Sequence, residues 1–212
     1  MDYDDEARKL FATLGLDASG AGNSRSYNPM DPIYRDTSTG GTVFVGNNTA
    51  AQNLAELQRS GVTHVVNCTD NLPLYHEGQL TYLRFNISFW PAERDLAAFL
   101  ATLFDFVDDA ISKGGSVLVH CLAGAHRAGT SGCLLLMKYG RLNRTDAVLT
   151  AKKLRSAIDP IGRFPQLLQN AEGILASRRE AAGEAALPTP APAPAAPATR
   201  TLTSLRDTLG GR

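Results

Sequence analysis

His120, Cys121, Gly124, Arg127 and Gly129 fall in the run His120-Cys-Leu-Ala-Gly-Ala-His-Arg-Ala-Gly-Thr130. A cysteine thiol has an ordinary pKa of about 8.5 and is mostly protonated at neutrality, but hydrogen-bond donors, a helix N-terminus and an arginine each favour its thiolate. All three are available to Cys121. Backbone N–H groups of a compact loop, with those of the first turn of a following helix, converge on an anion. Gly124 permits the tight curl, Gly129 permits close packing, and Arg127, six residues after the cysteine, can grip two phosphate oxygens as a fork. The chemistry this spacing serves is attack by the Cys121 thiolate on a phosphate cradled by Leu122, Ala123, Gly124, Ala125, His126 and Arg127. A small buried cysteine after a strand is the plainer account, but it explains Cys121 alone and none of its neighbours.

Such a loop needs a strand that ends just before it and a helix that starts just after it. Ser116-Val-Leu-Val-His120 is a short apolar run bounded by glycines and the loop, as expected of a central buried strand. Further strands are predicted at 42–45, 62–67 and 81–85 from β-branched and aromatic runs. A helix is predicted over about 50–60, with Thr49 and Gln52 at capping-box spacing and a stop at Gly61. Leu96, Phe99, Leu100, Leu103, Phe106, Val107, Ala110 and Ile111 recur at helical spacing and end at Gly114-Gly115. Helical periodicity continues near 129–139, 145–156 and 164–179. This alternation predicts an α/β domain, with a mainly parallel central sheet flanked by helices.

Length and charge narrow the function. The chain of 212 residues is 43% hydrophobic and has zero formal net charge, enough for one domain with a proper core and against a general nucleic-acid or acidic-membrane binder. Three cysteines, Cys68, Cys121 and Cys133, are too few for a disulfide framework and include no CxxC pair for zinc; neither a metal nor another cofactor is expected. The acidic start and the lack of a long apolar run fit a soluble protein of the cytoplasm, with the nucleus left open. Neutrality is a sum over unlike parts, because residues 1–36 hold seven acidic and four basic side chains. We read 1–40 as an acidic, loop-rich lead, with turn signals at 17–24 and in Asn28-Pro-Met-Asp-Pro32, and 41–180 as the catalytic domain. Five of eleven prolines lie between Pro188 and Pro197, so 181–212 reads as an Ala/Pro-rich, unpacked tail. That composition also suits a ligand for a proline-reading domain, although a solvated spacer accounts for it more simply.

His120-Cys121-x5-Arg127 resembles the signature of the cysteine-dependent protein phosphatases, in particular the dual-specificity branch of the tyrosine phosphatase superfamily. The similarity runs over roughly 41–170 and includes Val45-Gly-Asn47, Gly61-Val-Thr-His-Val-Val-Asn67, Asn71-Leu-Pro73 and Ile158-Asp-Pro160. The resemblance implies the phosphotyrosine-protein-phosphatase-like fold and a phosphorylated protein or peptide as substrate. It also implies a phosphocysteine on Cys121 that water hydrolyses, a transition state held by Arg127, and a His120 that braces the thiolate.

Two positions depart from the family pattern. Where Ser or Thr usually follows the arginine and stabilises the departing thiolate, Ala128 stands; Thr130 keeps a hydroxyl nearby but in another direction, in a loop-supporting place. The family's general acid, an Asp some thirty residues before the cysteine, is also absent: Trp90-Pro91-Ala92 is similar to a Trp-Pro-Asp loop with Ala in the acid's place. Glu93 is the best substitute and Asp95 the other candidate, though an N-cap role explains Asp95 as well. Missing acid catalysis is tolerated best by good leaving groups, so aryl and phosphotyrosine-like esters are expected to outpace phosphoserine. A pseudophosphatase that binds phosphorylated partners without useful turnover is the alternative.

Seven basic residues between Lys138 and Arg163 form either a rim that steers phosphorylated partners or an ordinary solvated surface. His126 either adds charge to the loop or lines its wall. Cys68 and Cys133 read as small buried side chains rather than disulfide partners of Cys121. The loop contains no lysine, which lowers a phosphoinositide reading.

Overall fold

The computed structural model describes residues 1–17, 27–91, 93–181 and 183, without the side chains of Glu93 and Arg94. Most of the turn-rich stretch 17–24, Ala92 and, from residue 184, the Ala/Pro-rich tail therefore lie outside the described residues.

The apolar run before the loop is strand β5 (Ser116–His120), buried along its whole length. It lies at the centre of a five-stranded sheet, between β2 (Thr42–Gly46) and β3 (Val62–Asn67), both parallel to it. A fourth parallel strand, β4 (Thr81–Arg84), flanks β3, and an antiparallel edge strand, β1 (Met30–Arg35), flanks β2. The period-2 alternation of β5 is used on both faces, which is why the run is continuously apolar. Val117 and Val119 join the large core under the long helices, while Leu118 joins a smaller one with Ala51, Leu57 and Val65 on the opposite face. The register puts His120 opposite both Gly46 and Asn67, so three parallel strands end at one level and Cys121 leaves the sheet at its C-terminal edge. Loops at that edge are where α/β sheets bind ligands.

Helix α4 (Glu93–Ser112) buries Leu96, Leu100, Leu103, Val107, Ala110 and Ile111, as its spacing predicts, with Phe104 besides, and the chain turns away through Gly114 at φ 75°. Helix α5 (Arg127–Tyr139) starts at the loop and is buried from Arg127 through Met137. Gly132 lets it approach the sheet, since a Cβ there would stand 2.8 Å from Val45 Cγ2. Helices α6 (Arg144–Leu154) and α7 (Phe164–Ala181) pack against α5. No helix among the described residues is long and apolar enough to cross a membrane.

Three local readings need correction. The single helix expected over 50–60 is two, α2 (Asn48–Gln52) and α3 (Leu54–Arg59), because Asn47 and Asn53 each cap one through their side chains; Thr49 and Gln52 lie inside α2. The lead before residue 41 is not loop-rich where it is described. Asp2 caps helix α1 (Tyr3–Leu14) by accepting from the Asp4 and Asp5 N–H groups, and 30–35 form the edge strand. Pro32 reads as a breaker in sequence, yet on an edge strand it is tolerated, and the pairing is irregular just there, between Pro32 and Tyr34. Finally, α4 begins at Glu93, so Asp95 sits exposed in its first turn rather than at its N-cap.

Candidate active site

Between β5 and α5 the chain curls through residues 121–126, and the direction of the curl can be read from its carbonyls. Leu122 O accepts from Asn48 N at 3.0 Å, and Ala123 O from the Tyr27 hydroxyl and from Arg155 Nη2 at 3.2 Å. Gly124 O accepts from Arg155 Nε at 2.9 Å, Ala125 O from Asp159 N at 3.2 Å, and His126 O from Thr130 N and Oγ1 at 2.9 and 2.6 Å. All five carbonyls are thus engaged by the surrounding protein. In a trans peptide the next residue's N–H points opposite to the carbonyl, so the N–H groups of residues 123–127 face the centre of the curl. That is the arrangement of a backbone anion nest at a helix N-terminus.

Gly124 makes the curl possible. It adopts φ 62°, and a Cβ there would lie 2.4 Å from Gly46 O, so a side chain is excluded both by conformation and by contact. Gly129 lies close to Ile158, 3.0 Å from a built Cβ to Cγ2, which seats the start of α5 against the 158–160 loop. His126 Nδ1 lies 2.8 Å from Asp159 O, so its ring lines the wall between these two segments.

Cys121 and Arg127 are 2% and 5% exposed. Burial works against the Arg127 charge, but the Cys121 sulfur and the Asp4 carboxylate outweigh it and raise the pKa above that of an ordinary arginine. Its Nη2 donates to Asp4 Oδ1, while its Nε is buried without a partner. One prong of the fork is therefore unsatisfied, as a group built to hold an oxyanion would be. His120 is fully buried with no hydrogen-bond partner on either ring nitrogen. Desolvation pushes its pKa down to about 3, and the adjacent Cys121 backbone, which favours the charged form, does not offset it. The ring is neutral at physiological pH.

The loop residues foreseen from the sequence, 120 through 127, come together. Thr130 supports the loop from the first turns of α5, its hydroxyl donating to His126 O, and Ala128 is fully buried. The acid candidates are not brought to the loop by any described contact: Asp95 is exposed, and Glu93 opens α4 with its side chain outside the described residues. The segment before them is fixed, with Trp90 buried and the Arg163 guanidinium 4.5 Å over its ring. Cys68 and Cys133 are buried thiols pushed up to about 12 by desolvation, and Cys68 Sγ lies 3.4 Å from Ser131 Oγ.

The basic stretch from Lys138 to Arg163 is mostly occupied within the fold. Lys138 pairs with Asp108, Arg144 with Glu172 and Lys152 with Asp159. Arg155 is the surprise. Its guanidinium is buried, pairs with Asp31 at 2.6 Å, and also donates to the Asn28, Ala123 and Gly124 carbonyls. It braces the 121–127 loop from behind, together with Tyr27, whose phenol burial holds in the protonated, donating form. Neither was foreseen, since in sequence Arg155 is one cation among several; nor was Asp4, which nothing in the local pattern marks.

Residues 43–173 match the family model described as dual specificity phosphatase, catalytic domain. The chain is 31% identical over 170 residues to Dual specificity protein phosphatase 9 of Homo sapiens, a stretch covering 77% of this chain and 42% of that protein. It is 35% identical over 125 residues to Dual specificity protein phosphatase 7 of Homo sapiens, covering 58% and 29%. The chain therefore spans less than half the length of these relatives. Among solved structures it is similar to human DUSP28, at a TM-score of 0.59 and 27% identity over 70% of this chain and 95% of that one.

Proposed function

The chain belongs to the dual-specificity phosphatase catalytic-domain family, and from that premise we propose that it hydrolyses phosphate monoesters on proteins, phosphotyrosine foremost, through a phosphocysteine on Cys121. The Cys121 sulfur attacks phosphorus, forming an S–P bond as the P–O bond to the leaving group breaks and that oxygen takes a proton. Water then attacks the phosphorus, and inorganic phosphate and the thiolate leave. Arg127 and the inward N–H groups of 123–127 hold the non-bridging oxygens throughout, where the charge develops.

The observation that carries the reading is the buried, half-satisfied Arg127 fork at the mouth of a loop whose five carbonyls are all engaged elsewhere. A pseudophosphatase is the second reading, favoured by Ala128 and by a carboxylate missing from residue 92. Hydrolysis of a small aryl phosphate by the wild type and by Cys121→Ser separates them. Turnover lost in the variant supports the enzyme. Absence of turnover in both, with phosphotyrosine-peptide binding retained, supports the reader.

A further inference from the structure

Helix α1 lies directly over the phosphate loop. Ala7 and Phe11 on its inner face are buried in one cluster with Tyr27, Ala123 and Ala125, and Phe11 meets the Tyr27 ring edge-on with centroids 6.2 Å apart. At its first residue, Tyr3 stacks on Phe164 with centroids 4.6 Å apart. Between these anchors Asp4 projects inward, its side chain only 18% exposed. One carboxylate oxygen accepts from Arg127 Nη2, and the other from Asn71 Nδ2 at 3.0 Å. The other carboxylates of the segment have local partners: Asp5 and Glu6 pair with Lys9, and Asp2 caps the helix. Asp4 alone spans 123 residues to reach the site.

We propose that α1 is an intramolecular occupant of the phosphate site, in which the Asp4 carboxylate takes the place of substrate oxygens on Arg127. The proposal rests on the phosphate-site reading of the loop. An arginine fork cannot give the same N–H donors to a carboxylate and to a phosphoryl group, so Asp4 and substrate compete. Tethering makes the competitor effective, because a group held on the same chain acts at a high local concentration. With Cys121 2% exposed and Arg127 5% exposed, this is a closed state. Asp4 holds only one prong of the fork and leaves Nε unsatisfied. A phosphoryl group takes both, which gives substrate the means to displace it.

The test uses full-length protein and inorganic phosphate as the probe, so that it reads binding even if turnover is absent. Asp4→Asn is expected to tighten phosphate binding, measured by calorimetry, at least fivefold. Asp5→Asn removes the same charge from the same helix but does not touch Arg127, and is expected to bind as wild type does. Tyr3→Ala, which loosens the helix and leaves Asp4 in place, is expected to move affinity in the same direction as Asp4→Asn. Saturating phosphate should also speed amide exchange across residues 3–14 of the wild type. Unchanged or weaker phosphate affinity in Asp4→Asn would overturn the proposal, as would α1 amides equally protected with phosphate bound. If Asp4→Asn lowers kcat on an alkyl phosphate without tightening phosphate, Asp4 is a proton donor and the occupant assignment is wrong. Absence of aryl-phosphate turnover in the wild type and in every variant, with the affinity pattern intact, would count against the phosphatase reading alone.

Discussion

At the scale of the residue, the proposed nucleophile and its arginine are well specified but proton supply is not. The Trp90 segment is anchored by burial and by Arg163, yet the residue after Pro91 is alanine. Glu93, one position further on, is the side chain we propose for protonating the leaving oxygen. General acid catalysis typically contributes 10²–10⁴-fold and matters least when the leaving group is already stable. Glu93→Gln is therefore expected to slow an alkyl phosphate at least tenfold more than an aryl phosphate, compared as kcat/KM on the two substrates. Equal losses would remove Glu93 from the reaction. Cys121 and Arg127 were legible in sequence because their spacing, the glycines and the strand before them occur together. Asp4 was not, since in sequence it is one acidic residue of an acidic start and nothing local ties it to a loop 123 residues further on.

At the scale of the element, the loop is a conformation that its neighbours impose. Gly124 supplies the φ, but Arg155, Tyr27, Asn48 and Asp159 hold the carbonyls outward. Truncating a buried, paired arginine leaves its partner charge and acceptors uncompensated, at a cost of about 3–5 kcal/mol. Arg155→Ala is expected to lose stability of that order in urea denaturation and to raise KM for an aryl phosphate; Arg155→Lys should recover only part of each, because it keeps the charge without the fork. Wild-type stability in Arg155→Ala would show that the brace is dispensable. Four strands were readable from their apolar, β-branched and aromatic runs, and the long helices from their periods. The edge strand was hidden by Pro32, whose breaker signal is overridden by its position at the sheet margin. The split between α2 and α3 was hidden because Asn53 reads as an ordinary polar position of one continuous helix, whereas its side chain accepts from Glu56 N and starts a second.

At the scale of the whole molecule, zero net charge conceals an acidic helix lying on a cationic site and a basic stretch largely paired inside the domain. The buried His120 couples this fold to pH. Its pKa lies near 3 in the folded protein against an ordinary 6.5, so between those values the unfolded chain binds a proton that the folded one does not. Its contribution to stability is complete above about pH 6.5 and drains away as pH falls towards 3. At about 1.4 kcal/mol per unit, the drop from pH 7 to pH 5 removes about 2 kcal/mol. Urea midpoints at the two pH values should show that loss in the wild type and a loss smaller by about that amount in His120→Asn. Parallel losses would place the pH sensitivity elsewhere.

The central claim is that Cys121 carries the phosphoryl group, and rapid acid quench of the enzyme during turnover of an aryl phosphate tests it most directly. The Cys121 peptide should gain one phosphoryl group in the wild type and none in Cys121→Ser. With Ala128 offering no hydroxyl to the departing sulfur, the phosphoenzyme should accumulate, and Ala128→Ser should reduce it. Turnover abolished by Cys121→Ser but with no phosphopeptide trapped at any time in the wild type or Ala128→Ser would contradict the account.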